Sequence, residues 1–107
     1  MRFLMTTKPS DAAPDEALYI EMGKFIEELT ASGALLATGG LEPGGILVSS
    51  SGEEITVTDG PFAEAKEAVA GFALIEVRSR EEAIELARRF RRIVGDGESI
   101  VQEVFGP

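Results

Sequence analysis

The chain has 107 residues, 44% of them hydrophobic and 27% charged, with a net charge of −9. This length and composition predict one soluble domain spanning residues 1–107. The sequence contains no cysteine, which excludes disulfides and thiolate chemistry. It also contains no histidine, which removes the commonest general base and the commonest metal ligand at neutral pH. The acidic net charge argues against a nucleic-acid partner, because a polyanion would be repelled.

Targeting segments and resident metals are also not indicated. Residues 1–7 are too short for the apolar part of a signal peptide. No apolar run approaches the roughly 18 residues needed to span a bilayer. We therefore predict a cytoplasmic protein that has no membrane partner. Carboxylates at these spacings do not specify a metal site, so we predict no metal and no cofactor.

The first half of the chain predicts a strand, a helix, a further strand in the apolar segment 34–41 and a small hairpin. Residues 2–7 are apolar and partly β-branched, which is typical of a strand. Pro14 suits the first position of a helix, and Gly33 suits its C-terminal stop. Between them, apolar residues recur on one helical face: Leu18, Met22, Phe25, Ile26 and Leu29. Residues 46–49 and 54–58 then predict two short strands joined through the turn at Ser51-Gly52.

The second half predicts a strand, a helix and a last strand. Residues 71–77 read GFALIEV, and residues 99–105 close the chain as a strand. Between these strands, Ser79 and Glu82 have the spacing of a capping box, and an apolar helical stripe follows. The complete order is β-α-β-β-α-β with an extra small hairpin. It predicts an α+β, ferredoxin-like sandwich in which two helices cover one face of an antiparallel sheet.

The predicted strands are apolar on both sides. Phe72 and Leu74 point to one side of the sheet, whereas Ala73 and Ile75 point to the other. Two helices can cover only one of these faces, so a monomer would leave the second face in water. Two alternatives would cover it: a homodimer packed sheet to sheet, which we favour, or the middle hairpin folded back onto the sheet.

The segment TDGPFAEAKEAVAGF, residues 58–72, has a structural interpretation and a functional one. In the structural interpretation, Pro61 opens a short helix, Asp59 accepts hydrogen bonds from backbone N–H groups, and Phe62 anchors the turn. In the functional one, the helix N-terminus attracts an anion and Lys66 adds a positive charge. Asp59 is then the first candidate for a catalytic acid or base, with Lys66 as electrostatic stabiliser, and Phe62 contacts the ligand.

Further candidate ligand contacts are spread along the chain. Glu64 and Glu67 could supply hydrogen-bond acceptors or a base, or they could simply be solvated. Tyr19, the only tyrosine, could donate a hydrogen bond to a substrate or lie at the edge of an amphipathic helix. Thr38 precedes the pair Gly39-Gly40, which either allows a ligand to approach the backbone or forms a bend.

The basic residues are concentrated between positions 88 and 92. Arg88, Arg89, Arg91 and Arg92 fall in the last turns of the second predicted helix. Cations at that end complement the helix dipole, which is the interpretation that we favour over a nucleic-acid patch.

The stretch TDGPFAEAKE followed by GFALIEV resembles the DGPF proteins of the YCII-related family, and ASGALLATGGLEP upstream is also similar. The resemblance implies a YCII-related domain over residues 1–107 and a dimeric α/β-barrel of two ferredoxin-like subunits packed sheet to sheet. Related proteins carry a His-Asp pair proposed as catalytic, and some in the wider superfamily act on aromatic or lactone substrates. Such a pair cannot operate here because the chain has no histidine.

Two functions from different classes agree with these observations. The first is a small-molecule binding protein or enzyme, with a cleft between the sheet and the DGPF loop and cofactor-free acid–base chemistry on a small organic acid or aromatic. The second is a non-catalytic, dimeric interaction or accessory module whose DGPF loop is structural. The sequence leaves open whether the protein is an enzyme.

Overall fold

The structure, a computed structural model, describes residues 1–9, 14–59 and 69–106. Two helices lie among these residues: α1 (Glu16–Ala31) and α2 (Arg80–Val94). Six strands accompany them: β1 (Arg2–Thr7), β2 (Leu35–Gly40), β3 (Ile46–Ser51), β4 (Glu54–Asp59), β5 (Gly71–Glu76) and β6 (Ser99–Val104).

Four strands form one sheet in the order β2-β5-β1-β6, and every pair of neighbours is antiparallel. The register places Leu4 of β1 opposite Leu74 of β5 and Gln102 of β6. Strands β3 and β4 form a separate two-stranded sheet. This arrangement confirms the predicted α+β ferredoxin-like order with an extra hairpin.

Side-chain capping sets the first residue of α1. The Asp15 carboxylate accepts a hydrogen bond from the Leu18 backbone N–H at 2.8 Å, so Asp15 is the N-cap and the helix begins at Glu16. The expectation that Pro14 occupies the first helical position was therefore wrong, since Pro14 precedes the cap. Gly33, with φ of +81°, ends the helix as predicted.

Helix α2 begins with a capping arrangement close to the predicted one. The Ser79 hydroxyl accepts a hydrogen bond from the Glu82 N–H at 3.1 Å. The Glu82 carboxylate reaches back one residue further than in a capping box, because it accepts from the Arg78 N–H at 3.2 Å. Gly95 caps the other end of the helix, as its position predicts.

The core lies between the helices and one face of the sheet. Phe3, the largest fully buried side chain, is 1% exposed in β1. Met5, Ala73 and Ile75 are buried on the same face and pack with Ala83 of α2. The side chains of this face have the parity that the sequence predicts, because neighbouring residues of a strand point to opposite sides.

The opposite face of the sheet, which we call the outer face, is apolar and incompletely covered. Its large side chains are half-buried or exposed: Leu4, Phe72, Leu74, Ile100 and Val104. The β3–β4 hairpin does not fold back to cover them, because all the residues of both its strands are exposed. That alternative was therefore wrong, whereas the homodimer stays a prediction.

Candidate ligand-binding site

A cavity of about 280 Å³ lies between the helices and the covered face of the sheet. Four residues of α1 form one wall, at spacings that place them on a single helical face: Met22, Phe25, Ile26 and Leu29. Leu86 and Phe90 of α2 line it from the other helix. The sheet contributes Met5 of β1 together with Ala73 and Ile75 of β5. The apolar stripe of α1 thus serves both as core and as cavity wall.

One end of the cavity is formed where β2 ends and β5 begins. Thr38, Gly39, Ala70 and Gly71 line it there. The Leu41 N–H donates to the Ala70 carbonyl at 2.8 Å, which extends the pairing of β2 and β5 by one residue beyond each strand. A Cβ atom on Gly71 would lie 3.3 Å from the Gly39 carbonyl oxygen, so the two backbones approach too closely for a larger residue to fit easily.

The described residues that line the cavity carry no charged side chain. Thr7 and Thr38 supply hydroxyl groups. The Thr38 hydroxyl donates to the Phe72 carbonyl at 2.9 Å, so its lone pairs can still accept a hydrogen bond from a ligand. The Thr7 and Ser99 hydroxyls are 3.0 Å apart and share a hydrogen bond. This chemistry suits a mostly apolar compound that carries a hydroxyl or carbonyl group.

The predicted ligand contacts are not all found at this cavity. Thr38 lines it. Tyr19 is 66% exposed on α1 and is not among the lining residues, which agrees with its interpretation as a helix-edge residue. Asp59 is exposed at the end of β4, opposite Ile46, and does not line the cavity either.

The remaining candidates, Phe62, Glu64, Lys66 and Glu67, lie outside the described residues, as does most of the segment that contains them. The roles of Asp59 and Lys66 therefore stay predictions. The described chain resumes at Val69, immediately before the cavity-lining Ala70. The described chain thus continues beside the cavity from Val69.

Sequence reasoning treated the apolar face of α1 only as core and so missed its part in the cavity. Met22 and Ile26 line the cavity while remaining partly accessible to solvent. Periodicity identifies which face of a helix is apolar, but it does not tell whether that face is fully packed. The Gly39-Gly40 pair beside Thr38 was the available signal, and the structure places Gly39 at the cavity.

The arginine cluster is engaged within the chain. Arg88 and Arg92 each form an ion pair with Glu85, at 3.5 and 3.7 Å. Arg91 donates to the Gly95 carbonyl at 2.7 Å, at the C-terminus of α2. Partners of this kind agree with a role for the cluster in stabilising the helix end.

Arg89 links the two helices. Its guanidinium donates two hydrogen bonds to the Glu28 carboxylate of α1, at 2.6 and 2.9 Å. It also stacks over the Phe25 ring, 4.8 Å from the centroid. The hydrogen bonds from Arg89 hold the pKa of Glu28 below its ordinary value. This pair is structural, because it lies on the surface and neither residue lines the cavity.

Among residues 1–9, 14–59 and 69–106, no group of three or more His, Cys, Asp or Glu side chains is arranged to hold a metal ion. No helix in this part of the chain is long and apolar enough to cross a membrane.

Comparisons with known proteins support the fold and the family. The sequence profile of the YCII-related domain matches residues 1–104. An uncharacterized protein of Rhizobium meliloti (strain 1021) is 56% identical over 39 residues, or 36% of this chain. The matched region covers 31% of the length of that relative.

A solved structure with the same fold is the 5-chloro-2-hydroxyhydroquinone dehydrochlorinase of Burkholderia phenoliruptrix AC1100, in complex with 2,5-dihydroxybenzoquinone. The similarity covers 100% of this chain and 96% of that one, with a TM-score of 0.53. The sequence identity is 16%, so this likeness concerns the fold alone.

Proposed function

The chain belongs to the YCII-related domain family, and from this premise we propose that it binds a small, mostly apolar ring compound in the cavity between the helices and the sheet. The apolar cavity with hydroxyl groups at its edge is the observation that carries the proposal. Its volume of about 280 Å³ is slightly below the roughly 300–1,000 Å³ of pockets for drug-sized ligands. A ligand with one substituted ring is therefore the expected size.

Hydrogen bonding narrows the ligand class. The Thr38 hydroxyl already donates to Phe72, so it can accept a hydrogen bond from a ligand hydroxyl. Because the described lining has no cation, a free carboxylate or phosphate would find no counterion among these residues. Among the described lining residues, the chemistry thus favours a neutral hydroxylated ring over an organic acid.

The ligand of the structural relative supplies a first probe. That dehydrochlorinase was solved with 2,5-dihydroxybenzoquinone, a planar ring that carries hydroxyl and carbonyl groups. Such a ring matches the size of the cavity described above. Its hydroxyls are vinylogous carboxylic acids and ionise below neutral pH, so the panel pairs it with neutral dihydroxybenzenes of the same size. We therefore choose 2,5-dihydroxybenzoquinone as the starting compound of a panel of hydroxylated rings.

We extend the proposal to cofactor-free acid–base chemistry. The described cavity residues have no side chain that titrates near neutral pH. A proton-transferring group would therefore come from other residues, and we propose residues 59–67, which precede the cavity-lining Ala70 in the sequence. Asp59 is the proposed acid or base and Lys66 the proposed electrostatic stabiliser. Asp59→Asn and Lys66→Ala should each abolish turnover of a bound compound while leaving the melting temperature of the free protein within a few degrees of wild type.

A thermal-shift and calorimetric titration tests the binding proposal. At a hundredfold excess over Kd, a ligand that binds only the folded state stabilises it by about 2.7 kcal/mol. Ile26→Trp, which widens a side chain at the cavity wall, should remove this stabilisation. Ile20→Trp is the matched control, because Ile20 is an exposed residue of the same helix that does not line the cavity.

The polar contact has its own control pair. Thr38→Val should weaken binding of hydroxylated rings, since valine keeps the shape of threonine but cannot accept a hydrogen bond. Thr58→Val removes an exposed hydroxyl in the hairpin and should leave binding unchanged. Equal affinities for both cavity variants and their controls would contradict this location of the site.

A non-catalytic dimeric module is the second candidate function, and the apolar outer face of the sheet favours it. We propose that two chains pack through this face, sheet to sheet. This packing would remove the side chains of Leu4, Phe72 and Leu74 from contact with water. Wild-type protein should sediment as a dimer, and Leu74→Asp should dissociate it. If no compound of the panel binds while Asp59→Asn lowers the melting temperature, the module with a structural DGPF loop is the better description.

A further inference from the structure

We propose that the β3–β4 hairpin is a dimerisation arm whose apolar face packs against a second copy of the chain. The arm consists of residues 46–59, and its apolar face consists of Ile46, Val48, Ile55 and Val57. This inference rests on the proposed homodimer and adds a contact to it. The sheet-to-sheet interface by itself gives no role to the hairpin.

The register of the hairpin separates an apolar from a polar side. Val48 lies opposite Val57, and cross-strand partners point to the same face of a two-stranded sheet. Ile46 and Ile55 belong to the same face because strand side chains alternate. The four side chains of this face are 62–69% exposed. The other side carries mostly hydroxyl-bearing and charged residues, including Ser49, Thr56 and Thr58.

A hairpin of this kind needs a packing partner. An isolated two-stranded hairpin is at best marginally stable in water, and a third strand or a packed apolar face is needed for stability. The arm forms a sheet separate from the four-stranded one and buries none of its strand residues within its own chain. Because no packing partner of the arm is found within residues 1–9, 14–59 and 69–106, we infer that another chain supplies it.

The exposed area of the chain has the size of a dimer interface. A compact monomer of 11.4 kDa exposes roughly 5,800 Å² by the usual scaling of area with mass, whereas this chain exposes 8073 Å². The excess of roughly 2,300 Å² lies within the area that each chain buries in an obligate homodimer, up to about 2,500 Å². The radius of gyration, 16.1 Å, likewise exceeds the roughly 13 Å of a compact domain of this length.

Charge and symmetry favour a second copy as the partner. Each chain carries a net charge of −9, so two copies can associate only through surfaces that add no repulsion. On the outer face, Arg2 of β1 lies 4.0 Å from Glu76 of β5, which balances the charge there. The arm face is uncharged except for Asp59 at its end. One two-fold axis would cover the outer face and the arm of both chains together.

Neighbouring residues of β4 provide the test. Val57→Asp places a carboxylate on the apolar face of the arm, and Thr56→Asp places one on its polar face. Both variants change the net charge equally. Sedimentation equilibrium should show the dimer Kd raised at least about a hundredfold by Val57→Asp, because a carboxylate would be buried without a partner. Thr56→Asp should change the Kd by less than about threefold.

Other variants separate failure of the arm from failure of the dimer. If Leu74→Asp dissociates the dimer while Val57→Asp matches Thr56→Asp, the arm inference is overturned and the sheet-to-sheet dimer stands. A wild-type chain that is monomeric at every concentration overturns both. Circular dichroism confirms that each variant is folded, which is expected since the arm lies outside the core.

Hydrogen exchange gives a second readout that needs no mutation. Amides of β3 and β4 that pair across the hairpin should exchange slowly in the dimer and rapidly on dilution to monomer, because an undocked hairpin opens easily. Protection that does not depend on protein concentration would indicate that the arm docks on its own chain and would overturn the inference.

Discussion

Replacing Phe3 with alanine measures how much of the stability depends on the face of the sheet beneath the helices. Phe3 is 1% exposed in β1, a central strand with β5 on one side and β6 on the other. Removing a fully buried phenylalanine costs about 3–5 kcal/mol, which includes the lost burial and the cavity left behind. This is a large share of the roughly 5–15 kcal/mol by which a domain is stable.

Urea unfolding followed by circular dichroism measures this loss. With a slope of about 2 kcal/mol per molar urea, the midpoint should fall by roughly 1.5–2.5 M at fixed protein concentration. Phe105→Ala is the matched control, because Phe105 follows β6, is 82% exposed and should change stability by at most about 0.5 kcal/mol. A loss below about 1 kcal/mol for Phe3→Ala, or an equal loss for both variants, would refute the assigned core.

Three smaller perturbations address the helix ends and the link between the helices. Ser79→Ala removes the hydroxyl that accepts the Glu82 N–H at the start of α2. Thermal unfolding should show the free energy of unfolding lowered by about 1 kcal/mol. Gly33→Ala should cost about 1–2 kcal/mol from backbone strain alone, since φ is +81° and no atom obstructs the new Cβ. Glu28→Gln should destabilise the protein at neutral pH but not in acid. Arg89 lowers the pKa of Glu28 in the folded protein, so the pair stabilises the fold at pH values above the ordinary glutamate pKa of about 4.3. This stabilisation is lost as the pH falls through the folded-state pKa of Glu28.

The controls for these three variants are equally specific. Ser79→Thr retains a capping hydroxyl and should recover most of the loss. Gly33→Asn should be milder than Gly33→Ala, because asparagine tolerates the left-handed region better. For Glu28, the stability difference from wild type should shrink on acidification. A difference that stays constant from pH 7 to pH 3 would show that the Arg89 pair is not its source.

Most of the fold could be predicted because its signals are local. The capping residue Ser79 and the stop signals Gly33 and Gly95 each act through their own backbone neighbourhood. The error at Pro14 has the same origin, since proline and aspartate compete locally for the helix start and the aspartate side chain bonds the Leu18 N–H. The alternation of β5 similarly identified both faces of the sheet before any packing was known.

The candidate site could be predicted only in part. Thr38 was singled out beside two glycines, and the structure places it at the cavity. Tyr19, chosen for its phenol, is 66% exposed and does not line that cavity, because helical periodicity alone does not say where a neighbouring helix leaves space. Asp59 was chosen for its turn, and the structure places it exposed at the end of β4, outside the cavity lining.

By itself, the sequence determined the elements, their order, the cap at Ser79 and the apolar parity of β5, because each depends on residues close together along the chain. Only the tertiary structure decided that the helices leave a cavity of about 280 Å³ and that the hairpin stands off the sheet with its apolar face exposed. Both features depend on distances between elements that are remote in sequence. Such distances follow from how the side chains of different elements pack, which no local pattern specifies.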